Sequence, residues 1–301
     1  MGDWTRYIRD FETHLRLERN LADNSVQAYL RDVSHLYHFA EARGLSPVDI
    51  TVGHLQELLQ ELVDSGMAVT TQCRIISGWR SFFHRMVIEG ALADNPAELL
   101  DMPARPHHLP DVLSDEDIER MQATFDRSKA NQARNYVIVE VLYGCGLRVS
   151  ELVGLKLSNI YVEEEMLQIF GKGDKERWVP INPRALKLLE DYVLTIRSQV
   201  QPKPGEEKFV FLNLRGQRMT RVAVFQIIKE AVAKAGIRKN VSPHSLRHSF
   251  ATELVQNGAD LRAVQEMLGH ESLVTTEIYT HLTKQYLRET ITTYHPHYKK
   301  N

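Results

Sequence analysis

Cysteine is nearly missing from this chain of 301 residues, which carries only Cys73 and Cys145. Two distant thiols argue against a disulfide framework and for a reducing compartment. Metal-ligand spacing is missing as well. No HExxH, paired CxxC or EF-hand-like run occurs, so no metal and no cofactor is expected. No apolar run is long enough to span a bilayer, and the opening MGDWTRYIRDFETHL is charged and amphipathic, unlike a leader peptide. A soluble, cytoplasmic protein without a membrane partner is the expectation. Internal repeats and low-complexity tracts are also lacking.

Charge is nearly balanced overall but unevenly spread. Residues 1–108 contain no lysine, and their 10 Arg face 15 Asp and Glu, a balance of −5. The remainder holds 27 Lys and Arg against 24 acidic residues, or +3. Its positives are bunched, as in Lys172-Gly-Asp-Lys175-Glu-Arg177 and Arg215-Gly-Gln-Arg218-Met-Thr-Arg221. Phosphate binding follows local basic patches rather than net charge, although any single patch is ordinarily solvated surface.

With 43% apolar and 25% charged residues the chain can bury a sizeable core. Helical spacing of Trp4, Tyr7, Ile8, Phe11 and Leu15 predicts a first helix over Trp4–Leu17. A second is expected from capping residues Asp23-Asn24-Ser25 to Gly44, a third over Val52–Val63 and a fourth over Val69–Ile88. Prolines 103, 106 and 110 then favour extended chain. The division is a helical domain at 1–102, a linker at 103–112 and a second domain at 113–301. Ser114-Asp-Glu-Asp117 reads as a capping box, with helices at 115–126, 131–143 and 148–155. Met166–Phe170 and Glu176–Val179 flank a Gly-rich turn and predict a hairpin or small sheet. Asn182-Pro183 and Ser242-Pro243 open helices, Phe209-Val-Phe211 reads as a short strand, and the chain from Thr220 onward reads as helical. The fold class is mainly α with a small β-sheet in the second domain.

The unusual residues concentrate in that domain, where six of the thirteen histidines fall between His244 and His297. Gly144-Cys-Gly-Leu-Arg148-Val-Ser-Glu151 delivers an arginine at a helix start, with a carboxylate three residues on to hold it. Gly171-Lys172-Gly173 puts a lysine on a turn; strand-like sequence follows it, which disfavours a nucleotide-binding loop. In Pro243-His244-Ser-Leu-Arg247, His and Arg share a helix face and suit an oxyanion. Gly269-His270 and Ile278-Tyr279-Thr-His281 complete the set. Each segment alone has a bland explanation: an ion pair, a polar turn, a cap, a half-buried aromatic.

Together they select a chemistry. Acyl transfer would use Ser or Cys beside a base, glycoside hydrolysis two carboxylates, and metal-assisted phosphoryl transfer clustered acids. Two arginines, a lysine, two histidines and a tyrosine fit covalent phosphodiester cleavage. The arginines offset charge building on the phosphate, and the phenol, whose ordinary pKa is near ~10, attacks with help from a base or positive field.

The order Arg, Lys, His-x-x-Arg, His, Tyr, in GCGLRVSEL, GKGDKERWVP, PHSLRHSFAT, LGH and IYTH, resembles the tyrosine recombinase (integrase) family. The likeness spans nearly the whole chain and is greatest to the bacterial Xer recombinases, which resolve chromosome dimers. It implies a helical, SAM-like, core-binding DNA-binding domain and an α+β catalytic domain forming a C-shaped clamp on the duplex. Arg148 and Arg247 would grip the scissile phosphate, with His244 and His270 hydrogen-bonding it and assisting proton transfer. Lys172 would be the general acid to the 5′ oxygen, Tyr279 the 3′-phosphotyrosyl nucleophile and Glu151 a support. Gln72, Arg74, Arg80, Arg218 and Arg221 are candidate DNA contacts. The substrate would be double-stranded DNA with a specific recombination site, and the working unit a homo- or hetero-tetramer on two synapsed sites. A second recombinase and a DNA translocase are candidate partners. The tail helix from Leu282 to Tyr294 would dock on a neighbouring subunit or on its own domain. A phage or mobile-element integrase is the alternative, disfavoured by the lack of an arm-binding domain. An inactive architectural DNA-binding protein is the alternative of another class, disfavoured by the intact hexad.

Overall fold

The computed structural model describes residues 4–104, 111–171, 176–269 and 281–299. Chain contacts divide it into two units, Met1–His108 and Leu109–Asn301.

The first unit is helical, with α1 (Trp4–Thr13), α2 (Asp23–Ala42), α3 (Val52–Asp64) and α4 (Val69–Ile88). A π turn at His14–Glu18 extends α1. Phe11, Leu15, Leu36, Trp79, Phe82 and Phe83 are fully buried at its centre. Trp79 Nε1 donates to the Asp32 carbonyl at 2.8 Å, and Trp4 Nε1 to that of Leu45 at 2.9 Å, so neither indole is buried unpaired. Gly78 explains itself by contact: a Cβ there would lie 2.8 Å from that of Asp32, where α2 and α4 approach. One expectation fails at α2. Its N-cap is Ala22, without a side-chain cap, and Asp23 instead sits in the first turn and pairs with Arg16 at 2.8 Å.

The second unit begins with α5 (Asp115–Ala123), capped by Ser114 and Asp117 as expected. Helix α6 (Ala130–Cys145) is buried on every side from Val137 onward and runs through the middle of the unit. It ends at Gly146, whose left-handed φ of 59° and 2.4 Å approach of a would-be Cβ to Phe250 both require glycine. Helix α7 (Val149–Gly154) follows. The sheet is a three-stranded antiparallel meander of β1 (Ile160–Tyr161), β2 (Met166–Phe170) and β3 (Glu176–Pro180), with Phe170 opposite Glu176 at the open end. Helices α8 (Pro183–Thr195) and α10 (Pro243–Gln256) open with Pro at the first position under Asn182 and Ser242 caps, and α9 (Arg221–Lys234) opens under Thr220. Phe209–Phe211 is not a strand. It makes a single bridge from Phe209 to Lys156, because the segment is buried between turns that leave no neighbour long enough for a ladder.

Helix α11 (Leu261–Leu268) ends at left-handed Gly269. Helix α12 (His281–Tyr294) packs on its own unit, with Leu287 and Ile291 buried against Phe250, Leu254, Val264 and Met267. The short α13 (Pro296–Lys299) inserts His297 beside Glu140, Nδ1 to Oε1 at 3.0 Å. His295 is buried against the rings of Tyr143 and Phe250, 5.2 and 5.3 Å between centroids. Among the described residues no helix is long and apolar enough to cross a membrane.

This anchorage carries a pH dependence. Burial, reinforced by neighbouring His297, pushes the His295 imidazole down to about 3. An unfolded histidine titrates near ~6.5, so only the unfolded chain gains a proton just below that value. The contribution of neutral His295 is therefore complete above ~6.5 and lost as pH falls towards about 3, by up to about 1.4 kcal/mol per pH unit. Burial alone would raise Glu140, but hydrogen bonds from His297 and Gln122 hold it below the usual carboxylate range, so it adds acid sensitivity only at lower pH. Thermal unfolding of the wild type should fall between about pH 7 and about pH 5 more steeply than that of His295→Phe, which keeps the ring contacts. Parallel curves would contradict the assignment.

Candidate active site

The site grows from the turn after α6. Left-handed Gly146 turns the chain so that Arg148 becomes the N-cap of α7. Glu151, one turn on, accepts from the Arg148 backbone N–H at 2.7 Å and from its Nη1 at 2.9 Å. The Glu151 side chain is only 2% exposed, while that of Arg148 is 41% exposed. Arg247, on α10, is buried; its Nη1 donates to the Gly146 carbonyl at 2.8 Å and its Nη2 to that of Leu268. It lies 3.9 Å from Glu151. Arg148, Glu151 and Arg247, far apart in sequence, thus form one cluster.

A third guanidinium, which none of the five sequence motifs singles out, belongs to the cluster. Arg177 of β3 bridges both Glu151 oxygens, at 2.7 and 2.8 Å. The available signal was parity: Arg177 and Val179 alternate with Trp178, so Arg177 shares the inward face.

The electrostatics follow from three cations meeting one carboxylate. Burial would raise Glu151, but hydrogen bonds from Arg177 and Arg148 outweigh it and hold the carboxyl below its usual range. Arg247 is pushed down to about 10, first by burial and then by the charge of Arg148 and Arg177, against the opposing pull of Glu151. It stays protonated at neutral pH, within a site whose positive charge exceeds its negative. Such a site favours an anion, and half-exposed Arg148 gives it access.

His244 lies in the first turn of α10, three residues before Arg247, and is exposed. Lys172, His270 and Tyr279 fall outside the described residues. Among the described residues no group of three or more His, Cys, Asp and Glu side chains is placed to hold a metal ion.

Comparison with known proteins decides the family. The phage integrase family pattern matches residues 111–286, and the phage integrase N-terminal SAM-like domain matches residues 8–90. A tyrosine recombinase XerD of Staphylococcus aureus is 40% identical over 290 residues, covering 96% of this chain and 98% of the relative. The chain belongs to the tyrosine recombinase family. It is a site-specific recombinase that cleaves and rejoins DNA. The XerD of Oceanobacillus iheyensis is 38% identical over 291 residues, again 96% of this chain and 98% of the relative. Among solved structures, XerA recombinase shares 32% identity at a TM-score of 0.50, covering 96% of this chain and 98% of that one. XerH bound to its palindromic difH substrate shares 26% identity at a TM-score of 0.67, covering 95% of this chain and 84% of that one.

The candidate DNA contacts of the recombinase divide into two groups. Arg218 and Arg221 are exposed at the approach to α9, with Arg218 stacked 4.6 Å from the centre of the Phe209 ring. On α4, Thr70, Arg74 and Ser77 form an exposed stripe, and Arg74 is tethered to buried Asp32. Gln72 is a correction. It is 6% exposed and donates to the Met67 carbonyl at 2.7 Å, so it faces the interior rather than a groove. Arg80 is likewise engaged, donating to the carbonyls of Ala97 at 3.1 Å, Glu98 at 3.4 Å and Leu100 at 2.6 Å. It holds the segment after α4.

Proposed function

We propose that this recombinase resolves chromosome dimers at cell division, acting in the cytoplasm on two synapsed copies of one chromosomal site. A homo- or hetero-tetramer carries out the exchange, with a second recombinase or a DNA translocase as candidate partners. The observation that carries the reading is the 40% identity to XerD across 96% of this chain. The catalytic assignment is supported by the excess of positive charge around Glu151.

In the proposed reaction Arg148 and Arg247 hold the non-bridging oxygens, and His244 and His270 complete the pocket and assist proton transfer. The Tyr279 phenol passes its proton to one of these histidines as its oxygen bonds to phosphorus. The bond from phosphorus to the 5′ oxygen breaks, and Lys172 protonates the departing oxygen. The 3′-phosphotyrosyl ester retains the bond energy, so attack by a 5′ hydroxyl rejoins a strand without ATP. Positive side chains do the work a metal does in other phosphoryl transfers. Cleavage is therefore expected to persist in EDTA, assayed on a nicked duplex; strict dependence on added divalent cation would contradict this chemistry.

Sequencing DNA covalently trapped on the protein in cells tests the biological role. One locus near the replication terminus is the expected recovery. Ends of a mobile element would replace dimer resolution with an integrase role.

A further inference from the structure

The third guanidinium in the site has a geometry that packing alone does not require. Arg177 forms a planar double bridge to Glu151, at 2.7 and 2.8 Å, and its Nε donates to the Met267 carbonyl at 2.8 Å. The next two carbonyls are taken by the other arginines, Leu268 by Arg247 and Gly269 by Arg148, the latter at 3.2 Å. Three consecutive carbonyls closing α11, groups a helix end leaves without internal partners, thus each receive one arginine of the cluster. Left-handed Gly269 fits this arrangement, since a Cβ there would stand 3.0 Å from Cδ of Arg177. All three guanidinium nitrogens of Arg177 already donate within the protein, two to Glu151 and one to the Met267 carbonyl.

We propose that Arg177 is a positioning residue for strand cleavage, fixing Glu151 and the last turn of α11 so that Arg148 and Arg247 meet the scissile phosphate already oriented. The inference rests on the assignment of those two arginines to the phosphate. Its physical basis is competition for donors. Glu151 has two oxygens, and Arg177 occupies both in its own plane. Arg148 therefore spends one N–H on the carboxylate side chain and one on Gly269, and keeps its remaining donors for an anion. Without Arg177, Glu151 would draw Arg148 and Arg247 more fully onto itself, and the α11 terminus would lose one of its three ties. A lysine cannot replace it, because an ammonium lacks the rigid fork that spans two carboxylate oxygens and a carbonyl together.

The test uses full-length Arg177→Lys and Arg177→Met on a nicked suicide duplex carrying the site recovered by trapping. DNA affinity is measured separately from single-turnover cleavage at saturating protein. Both variants should bind within about 3-fold of wild type, while saturated cleavage falls about 100-fold for Met and at least about 10-fold for Lys. If the Met variant does not fold, the Lys variant decides. Saturated cleavage by Arg177→Lys within about 3-fold of wild type, or a loss that disappears once the DNA is saturated, overturns the proposal. Arg148→Ala on the same duplex separates the two levels. Normal cleavage by it would mean that the catalytic assignment itself is wrong, whereas an inactive Arg148→Ala beside a normal Arg177→Lys removes only the role of Arg177.

Discussion

Tyr279→Phe is expected to bind its recombination site with wild-type affinity and to form no covalent adduct. The reason is chemical rather than structural. Removing one oxygen leaves the ring and its volume nearly unchanged, but leaves nothing to bond to phosphorus. Tyr279 is one of eleven tyrosines and by itself carries no signal. It is singled out by its position in the ordered set with Arg148, Lys172, His244, Arg247 and His270. A nicked duplex run on a denaturing gel reads the adduct directly, and an adduct in Tyr279→Phe would assign the nucleophile elsewhere.

Arg148→Ala and Arg247→Ala are each expected to slow cleavage by at least ~100-fold, the scale of losing one preorganised donor to an oxyanion. Their effects on stability should differ, because their surroundings do. Arg148 is 41% exposed, and Glu151 keeps Arg177 when it is removed. Its loss should fall on chemistry with little change in melting temperature. Arg247 is 6% exposed and its two terminal nitrogens serve the carbonyls of Gly146 and Leu268. Removing it strands both acceptors, at about 1–3 kcal/mol for each buried group left unpaired. Arg247→Ala should therefore lose stability and cleavage together. Parallel calorimetry and single-turnover kinetics check the contrast, and mild kinetic losses in both variants would remove the assigned roles.

The sequence exposed most of the architecture because its local signals agree. Ser114 with Asp117, Asn182 with Pro183 and Ser242 with Pro243 each start a helix by side-chain chemistry that needs no tertiary partner. The errors lie where tertiary context decides. Phe209–Phe211 has strand-like composition, but a strand requires a ladder partner, which composition does not reveal. Gln72 looked like a groove-reading residue in a polar run. Its helical spacing to Ile75, Ile76 and Trp79 places it on the buried face. Arg177 lies within GKGDKERWVP but is not the residue that motif singles out, and only its parity with Val179 on β3 marks it as inward-facing. Arg148, Glu151 and Arg247 were found because their motifs name them, yet their meeting at the end of α11 depends on Gly146 and Gly269, two left-handed turns whose consequences are three-dimensional.

Mapping the adduct shows whether cleavage proceeds through a covalent link to Tyr279. The protein would be trapped on a nicked duplex, treated with nuclease and trypsin, and the nucleotide-bearing peptide sequenced by mass spectrometry. The tryptic peptide of residues 263–284 contains Tyr279 as its only tyrosine. A residual nucleotide on that peptide, at Tyr279 and linked through a 3′ phosphate, is the expected result. An adduct on any other peptide, or a 5′ linkage, would contradict it.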